Sequence, residues 1–216
     1  MATLKKYDMT GKEVGALSID DALLDVAAHS QSIKDYIVAI RNNARQWSAN
    51  TRRRGDSHHT GRKPHPQKGQ GRSRQGDLAA PHYKGGAVVW GPRPKFDVHT
   101  RINKKERRAA IRFLIAEKIK ENRVRVLSKP KFDAPKTKVM AELLEKLTVK
   151  DRRVLMVGAT GLPDGSSDNL LKSLRNLPKK EYLPLNQING YELIRSQEIV
   201  LLESAVDELV SLLGGQ

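Results

Sequence analysis

The sequence predicts an α/β fold: a mostly parallel sheet flanked by helices in three layers, interrupted by a long extended basic loop. Three observations predict it. From about residue 103 onward, short apolar runs alternate with amphipathic helical stretches, a pattern that pairs strands in parallel and covers them with helices. The net charge of +16 is segregated: residues 1–40 carry −2, 41–100 carry +10, 101–128 carry +7 and 129–216 carry +1. Residues 41–100 also hold 8 of the 16 Gly, 5 of the 10 Pro and 5 of the 6 His, with few large apolar side chains. Such a stretch buries too little surface to offset the entropy of ordering itself, so it reads as an extension that is flexible alone and ordered by a partner. The expected division is one globular domain from 1–45 and 101–216, with 46–100 as an inserted loop.

The elements follow in order. TLKKYDM and EVGALSI, separated by Thr10-Gly11-Lys12, predict a hairpin. From Asp20 the pattern turns helical. Ile33, Tyr36, Ile37 and Ile40 form one apolar stripe, with Ser32 and Asp35 placed as a capping box, and the helix is expected to run into Arg41, Arg45 and Trp47. After the loop, Asn103 with Glu106 predicts a helix start. That helix extends to about Glu121, buries Ala110, Ile111, Phe113 and Leu114, and shows Lys104, Lys105, Arg108 and Arg112 on a shared face. Strands are expected at Val124–Leu127, Val154–Val157, Glu181–Leu185 and Ile199–Leu202. Helices are expected at Thr137–Leu147, Asp168–Leu177 and Ala205–Leu213, the last capped by Ser204 with Asp207.

The bulk properties exclude several function classes. The 38% hydrophobic content is low for a fully globular chain of this size, so part of the chain stands outside the core. There is no run of 18 apolar residues, so no spanning helix, and MATLKKYDMTGKE is not a signal peptide. Without cysteine there are no disulfides or thiolate metal sites, and a reducing compartment is consistent. A membrane surface fits poorly, because the basic stretch lacks an apolar face. A large positive charge attracts polyanions, and its confinement to the middle of the chain is a polyanion footprint. Double-stranded DNA is the weaker partner, since no recognition helix, zinc finger or basic zipper is present.

The candidate RNA-binding residues follow from that footprint. Arg45, Trp47, Arg52, Arg53 and Arg54 lie on the outgoing arm. The segment GRKPHPQKGQGRSRQG supplies Arg62, Lys63, His65, Gln67, Lys68, Gly69, Gly71, Arg72 and Arg74, with no acid before Asp77. Its glycines let a phosphate chain approach the backbone, and Pro64 and Pro66 stiffen one arm. Tyr83, Lys84, Trp90, Arg93 and Lys95 lie on the return arm, followed by Arg101 and the helical Lys104, Lys105, Arg108 and Arg112. The rings of His65, Tyr83, Trp47 and Trp90 suit stacking on unpaired bases. If each arm of ~20–25 residues is extended at ~3.3–3.6 Å per residue, the tip reaches up to about 70–80 Å from the scaffold.

Other constellations carry less. His58, His59 and His65 lack cysteine partners and helical i,i+4 spacing, so no metal is expected. VLMVGATGLPDG (154–165) is a strand followed by a turn with Gly158, Gly161 and Gly165, but it is neither GxxxxGK[ST] nor GxGxxG, so no nucleotide cofactor is expected. No Ser–His–Asp, Cys–His or paired-carboxylate grouping points to catalysis.

With these residues laid out, the chain resembles the family-four protein of the large ribosomal subunit in its bacterial form. The resemblance rests on KPHPQKGQGRSR (63–74), on GGAVVWGPRPKFD (85–97) followed by INKKERRAA (102–110), and on DAPKTK (133–138). It covers nearly the whole chain and is weakly marked only after Leu177. It implies a non-catalytic protein of the cytoplasmic ribosome that binds 23S ribosomal RNA early in assembly. It implies that the loop lines the polypeptide exit tunnel, beside neighbouring large-subunit proteins including the one at the constriction, and in reach of the nascent peptide. The family's loop tip often carries an aromatic residue where His65 or Pro66 stands here, and Ala where Ser73 stands, so no drug response is carried over. The competing readings are a free RNA chaperone or messenger-RNA regulator using the same loop, and an RNA-modifying enzyme. The enzyme would need a cofactor loop and a catalytic acid or base.

Overall fold

The computed structural model describes residues 2–94, 99–128, 134–160 and 166–214. They fall into two compact units, Met1–Arg41 with Arg101–Gln216, and Asn42–Thr100.

The first unit is built on a six-stranded sheet of order β2-β1-β3-β6-β4-β5. Its strands are β1 (Ala2–Tyr7), β2 (Glu13–Ile19), β3 (Val124–Leu127), β4 (Val154–Gly158), β5 (Lys180–Pro184) and β6 (Glu198–Leu202). Only the β1–β2 hairpin is antiparallel; β1–β3, β3–β6, β6–β4 and β4–β5 are parallel. The hairpin turns through Gly11 at φ +77, a left-handed conformation that glycine adopts without strain.

The central strands read as continuous apolar runs because both faces are covered. Alternate residues enter two separate cores. Val124, Val126, Leu155, Val157, Ile199 and Leu201 join one cluster, while Leu127, Val154, Met156, Val200 and Leu202 join the other. The first cluster is covered by α1 (Asp21–Leu24), α2 (Ser30–Asn43), α3 (Lys104–Lys120), α6 (Gly190–Arg195) and α7 (Val206–Gly214), through Leu24, Tyr36, Leu114, Leu193 and Leu209 among others. The second is covered by α4 (Thr137–Lys146) and α5 (Ser166–Leu174), through Met140, Leu143, Leu144, Leu170 and Leu174. Helix, sheet and helix thus make the three layers that the alternation predicts.

Several local expectations are corrected. α2 begins at Ser30, so Ser32 lies inside it and no capping box forms with Asp35. The helix entry is instead marked by His29, whose Nδ1 accepts from the Gln31 amide at 3.2 Å. α2 ends at Asn43, before Arg45 and Trp47. Asn103 stands at the N-cap of α3, as expected, but makes no side-chain cap bond; its Nδ2 instead donates to Glu106 Oε1 at 3.2 Å. Ser204 lies within a 3-10 turn, Glu203–Ala205, and α7 begins at Val206, so Ser204 is not the residue adjoining the helix. Phe113 is half-buried and packs against the first core, in which Ile115, Ala116 and Ile119 are buried. α6 was not expected from the sequence: it is one and a half turns long, started by Asn189 accepting from the Glu192 amide at 2.9 Å. The turn residues Gly161 and Gly165, and Asp133 of the DAPKTK stretch, lie outside the described residues.

Candidate nucleic-acid interface

The unit Asn42–Thr100 has little regular structure: among its described residues the end of α2 and a 3-10 turn, Arg54–Asp56, are the helical pieces. Its internal order nevertheless exceeds what its composition suggests. Hydrogen bonds and ion pairs supply it where apolar burial does not. Asn43 closes the neck on Thr100. Asp77, the first acid after Asp56, is a hub. Its carboxylate accepts from Arg54 Nε at 2.9 Å and from the Ala79 amide at 3.1 Å, and lies 2.6 Å from His59 Nε2. The Ala79 amide first, then the Arg54 guanidinium, hold this carboxyl below its usual range. One short acid thereby ties the outgoing arm to the return arm.

Beyond the hub, Ala79 and Ala87 are the buried residues of a compact turn. The Ala87 amide donates to Ala79 O at 2.9 Å, and the Tyr83 and Gly86 amides donate to Ala80 O and Tyr83 O. Gly86 is required there, because a Cβ would lie 2.1 Å from Ala80 O. The arms meet again where the Val88 amide donates to Arg52 O at 3.1 Å and Thr51 Oγ1 donates to Pro92 O at 3.1 Å.

The tip folds back on itself. His65 Nε2 pairs with Ser73 O at 2.9 Å, Lys63 Nζ donates to Gln67 Oε1, and Gly69 and Gly71 take positive φ between them. Pro64, His65, Pro66, Gln70, Arg72, Ser73, Gln75 and Tyr83 line an open cleft of about 500 Å³. Its wall mixes rings, amides and a guanidinium, a lining that suits a base or ribose with its phosphate.

The structure places the predicted residues as follows. Arg45, Arg52, Arg53, Arg54, Arg62, Lys63, Gln67, Lys68, Gly69, Gly71, Arg72, Arg74, Lys84, Trp90 and Arg93 are exposed; Trp47, His65 and Tyr83 are half-buried. The Arg45 guanidinium lies 5.6 Å from the Trp47 ring centroid, and the Trp47 indole nitrogen is enclosed. Tyr83 leans on the His82 ring at 4.6 Å. Lys95 lies outside the described residues. Among the described residues no group of three or more potential metal ligands is found.

In the first unit, Arg101, Lys104, Lys105 and Arg108 are exposed and Arg112 is half-buried. Arg107, exposed on the same helix, was missed by the sequence reading. Cations in the first turns of a helix oppose its dipole and cost about 0.3–1 kcal/mol each when exposed. Lys104, Lys105, Arg107 and Arg108 stand there against one acid, Glu106. A helix arranged for its own stability would invert that order. Arg108 and Arg112 also border a groove of about 200 Å³ floored by Ile111 and Leu212.

Relatives place this arrangement. The chain matches the profile of the ribosomal protein L4/L1 family over residues 17–212. It is 33% identical over 213 residues to the large ribosomal subunit protein uL4 of Halothermothrix orenii, covering 99% of both chains. The protein of the same name from Moorella thermoacetica is 35% identical over 206 residues, covering 95% of this chain and 96% of its own. That from Lachnospira eligens is 32% identical over 209 residues, covering 97% and 98%. A two-faced α/β unit with an inserted basic segment, aligned end to end with these proteins, belongs to the ribosomal protein L4/L1 family.

Proposed function

We propose that this chain is a structural, non-catalytic constituent of the large ribosomal subunit, located in the cytoplasmic ribosome and held there by ribosomal RNA. The observation that carries the reading is the concentration of exposed cations on Asn42–Thr100 and on the first turns of α3, while the remainder of the chain is nearly neutral. The α/β unit acts as the scaffold and the basic segment as the principal RNA-binding part. Arg52, Arg53, Arg62, Lys63, Lys68, Arg72, Arg74, Lys84 and Arg93 neutralise phosphates, and the cleft at the tip receives a nucleotide. On this reading the RNA is 23S, binding occurs early in assembly, and the tip lines the peptide exit tunnel beside a neighbouring ribosomal protein and the nascent peptide. End-to-end likeness to proteins named as large-subunit components supports the assignment.

The test is sedimentation of tagged chain in a cell extract on a sucrose gradient. One copy per large subunit, retained through a moderate salt wash, is the expected outcome. Co-migration with messenger RNA outside ribosomes would replace this reading with that of a free RNA regulator.

A further inference from the structure

Trp90 stands apart from every other described aromatic side chain in its unit. It is 99% exposed, whereas Trp47 and Tyr83 are half-buried against neighbours. Its backbone has φ +58, a left-handed conformation that bulky residues rarely adopt. Nothing in its own contacts repays that conformation. The strain is imposed from both sides. Val88, two residues before, is fixed by its amide bond to Arg52 O at 3.1 Å. Two residues after, Pro92 O accepts from Thr51 Oγ1 at 3.1 Å. Between them Gly91 runs so close to Thr51 that a Cβ would lie 2.1 Å from its Oγ1. Two pins to neighbouring residues of the opposite arm therefore drive residues 89–90 outward. Val88 and Val89, at 51% and 57% exposure, flank the ring with more open apolar surface.

A tryptophan held in water by a strained backbone is an anchor awaiting a partner. The charge around it names that partner's class. Among the described residues the charges next to it in sequence and across the pins are Arg93, Arg52 and Arg53, all exposed, with one acid, Asp56, bonded to the Arg53 amide. A protein pocket would meet that cationic excess with acids; RNA meets it with phosphates and offers a flat apolar face. We propose that Trp90 is a base-stacking wedge, which inserts its indole against an unpaired RNA base while Val88 and Val89 cover the ribose edge. The inference rests on the RNA-binding reading above and deepens it: the stacking is specific to unpaired nucleotides and indifferent to base identity, because the indole offers a face and a single donor.

The test uses the full chain carrying Trp47→Phe, so that Trp90 is the sole indole. The probes are a 12-nucleotide oligo(A) RNA and a 12-base-pair RNA duplex, at salt concentrations matched for occupancy. Trp90 fluorescence should be quenched by the single strand and left nearly unchanged by the duplex. Trp90→Phe should keep most of the single-strand affinity. Trp90→Leu should lose about tenfold, the scale of one base–aromatic stack. Trp90→Asn should lose as much; because Asn tolerates left-handed backbone, it removes the ring while keeping the turn. Binding without quenching, or Leu and Asn variants that bind as tightly as the Phe variant, would overturn the wedge while leaving phosphate binding intact. Failure of the Trp47→Phe chain to bind either probe at low salt would sink the RNA reading and the wedge together.

Discussion

The carboxamide of Asn43 grips the backbone of Thr100 from both sides: Nδ2 donates to Thr100 O at 3.1 Å, and Oδ1 accepts from the Thr100 amide at 2.9 Å. Fifty-seven residues separate them, yet the pair spans the neck like a rung of sheet. Neither apolar core contains a described residue between them. Removing 45–98 and joining the ends with a short Gly/Ser linker should therefore leave a cooperatively melting α/β unit. Its stability should be unchanged or higher by at most ~2 kcal/mol, since a shorter loop costs less entropy to close. Circular dichroism melts of both chains make the comparison, and a molten product would show that the core reaches into the deleted segment.

Asp77 sets the pH dependence of the loop's internal order. Its carboxyl titrates below the usual value of 3.8, so its contribution is present above that value and is lost as pH falls through the lower folded-state value. Amide resonances of Ala79, Ala87 and Val88 should keep their dispersed positions at pH 5 and collapse toward random-coil positions well below pH 4. Asp77→Asn should show the collapsed positions at every pH, while residues 60–72 look alike in both proteins.

Lys104, Lys105, Arg108 and Arg112 make phosphate contacts on this reading. Replacing Lys104 and Arg108 with Ala should weaken binding to ribosomal RNA regardless of sequence, and should flatten the slope of log K against log salt by roughly one unit per lost contact. A slope equal to that of the unaltered protein would mean the face looks elsewhere. Helix content should hold or rise slightly, because the altered cations sit at the wrong end of the dipole.

Glu192 is pushed up to about 7, by burial first and then by the hydrogen bond and charge of Glu181. Arg195 lies 2.8 Å from Glu181 and 3.6 Å from Glu192, which offsets part of that rise. The folded state thus holds a proton that the unfolded chain releases near 4.5, and stability should fall as pH rises from about 5 to 7.5. Glu192→Gln should flatten that decline and melt higher than the parent at pH 8. Identical pH profiles would mean the two carboxylates ionise independently.

Glu198 is 3% exposed at the start of the central strand β6, paired with Arg152 and, at 3.7 Å, with Arg125. Glu198→Ala should destabilise the first unit by about 2–3 kcal/mol, somewhat less than the ~3–5 kcal/mol of a fully enclosed pair, because Arg152 stays largely in solvent. Arg152→Ala should cost at least as much, about 3 kcal/mol, because it leaves the buried Glu198 carboxylate with only the Arg125 contact at 3.7 Å. Urea titrations of the two variants make the comparison, and an Arg152 variant as stable as the parent would show that Arg125 alone holds the carboxylate.

The sheet and its layers were legible because apolar runs such as Val154–Val157 and Ile199–Leu202 carry no competing signal. Helix starts were legible only in part. Asn103 stands at the N-cap of α3 where its spacing predicts, though without a side-chain cap bond. Ser32 and Ser204 also have the chemistry of a cap, but which amide a side chain meets depends on where the backbone turns, and sequence spacing does not fix that. α6 went unseen because six residues give no periodicity, and its start rests on one side chain, Asn189. In the basic segment, composition correctly exposed the cations but hid their organiser. Asp77 reads as a lone acid until the fold brings Arg54 and His59 to it. Nor does sequence distinguish Trp47 from Trp90, since exposure of a ring is decided by the opposite arm.

The sheet order carries a consequence for biosynthesis. β6, the strand made last, lies between β3 and β4, and β1 waits for β3 across more than a hundred residues. No part of the parallel sheet closes around its centre until Leu202 has left the synthesis machinery. The basic segment is made long before that moment, so each nascent chain displays its polycationic stretch before it owns a finished scaffold. On the proposed reading, capture by RNA can therefore begin before the fold is complete.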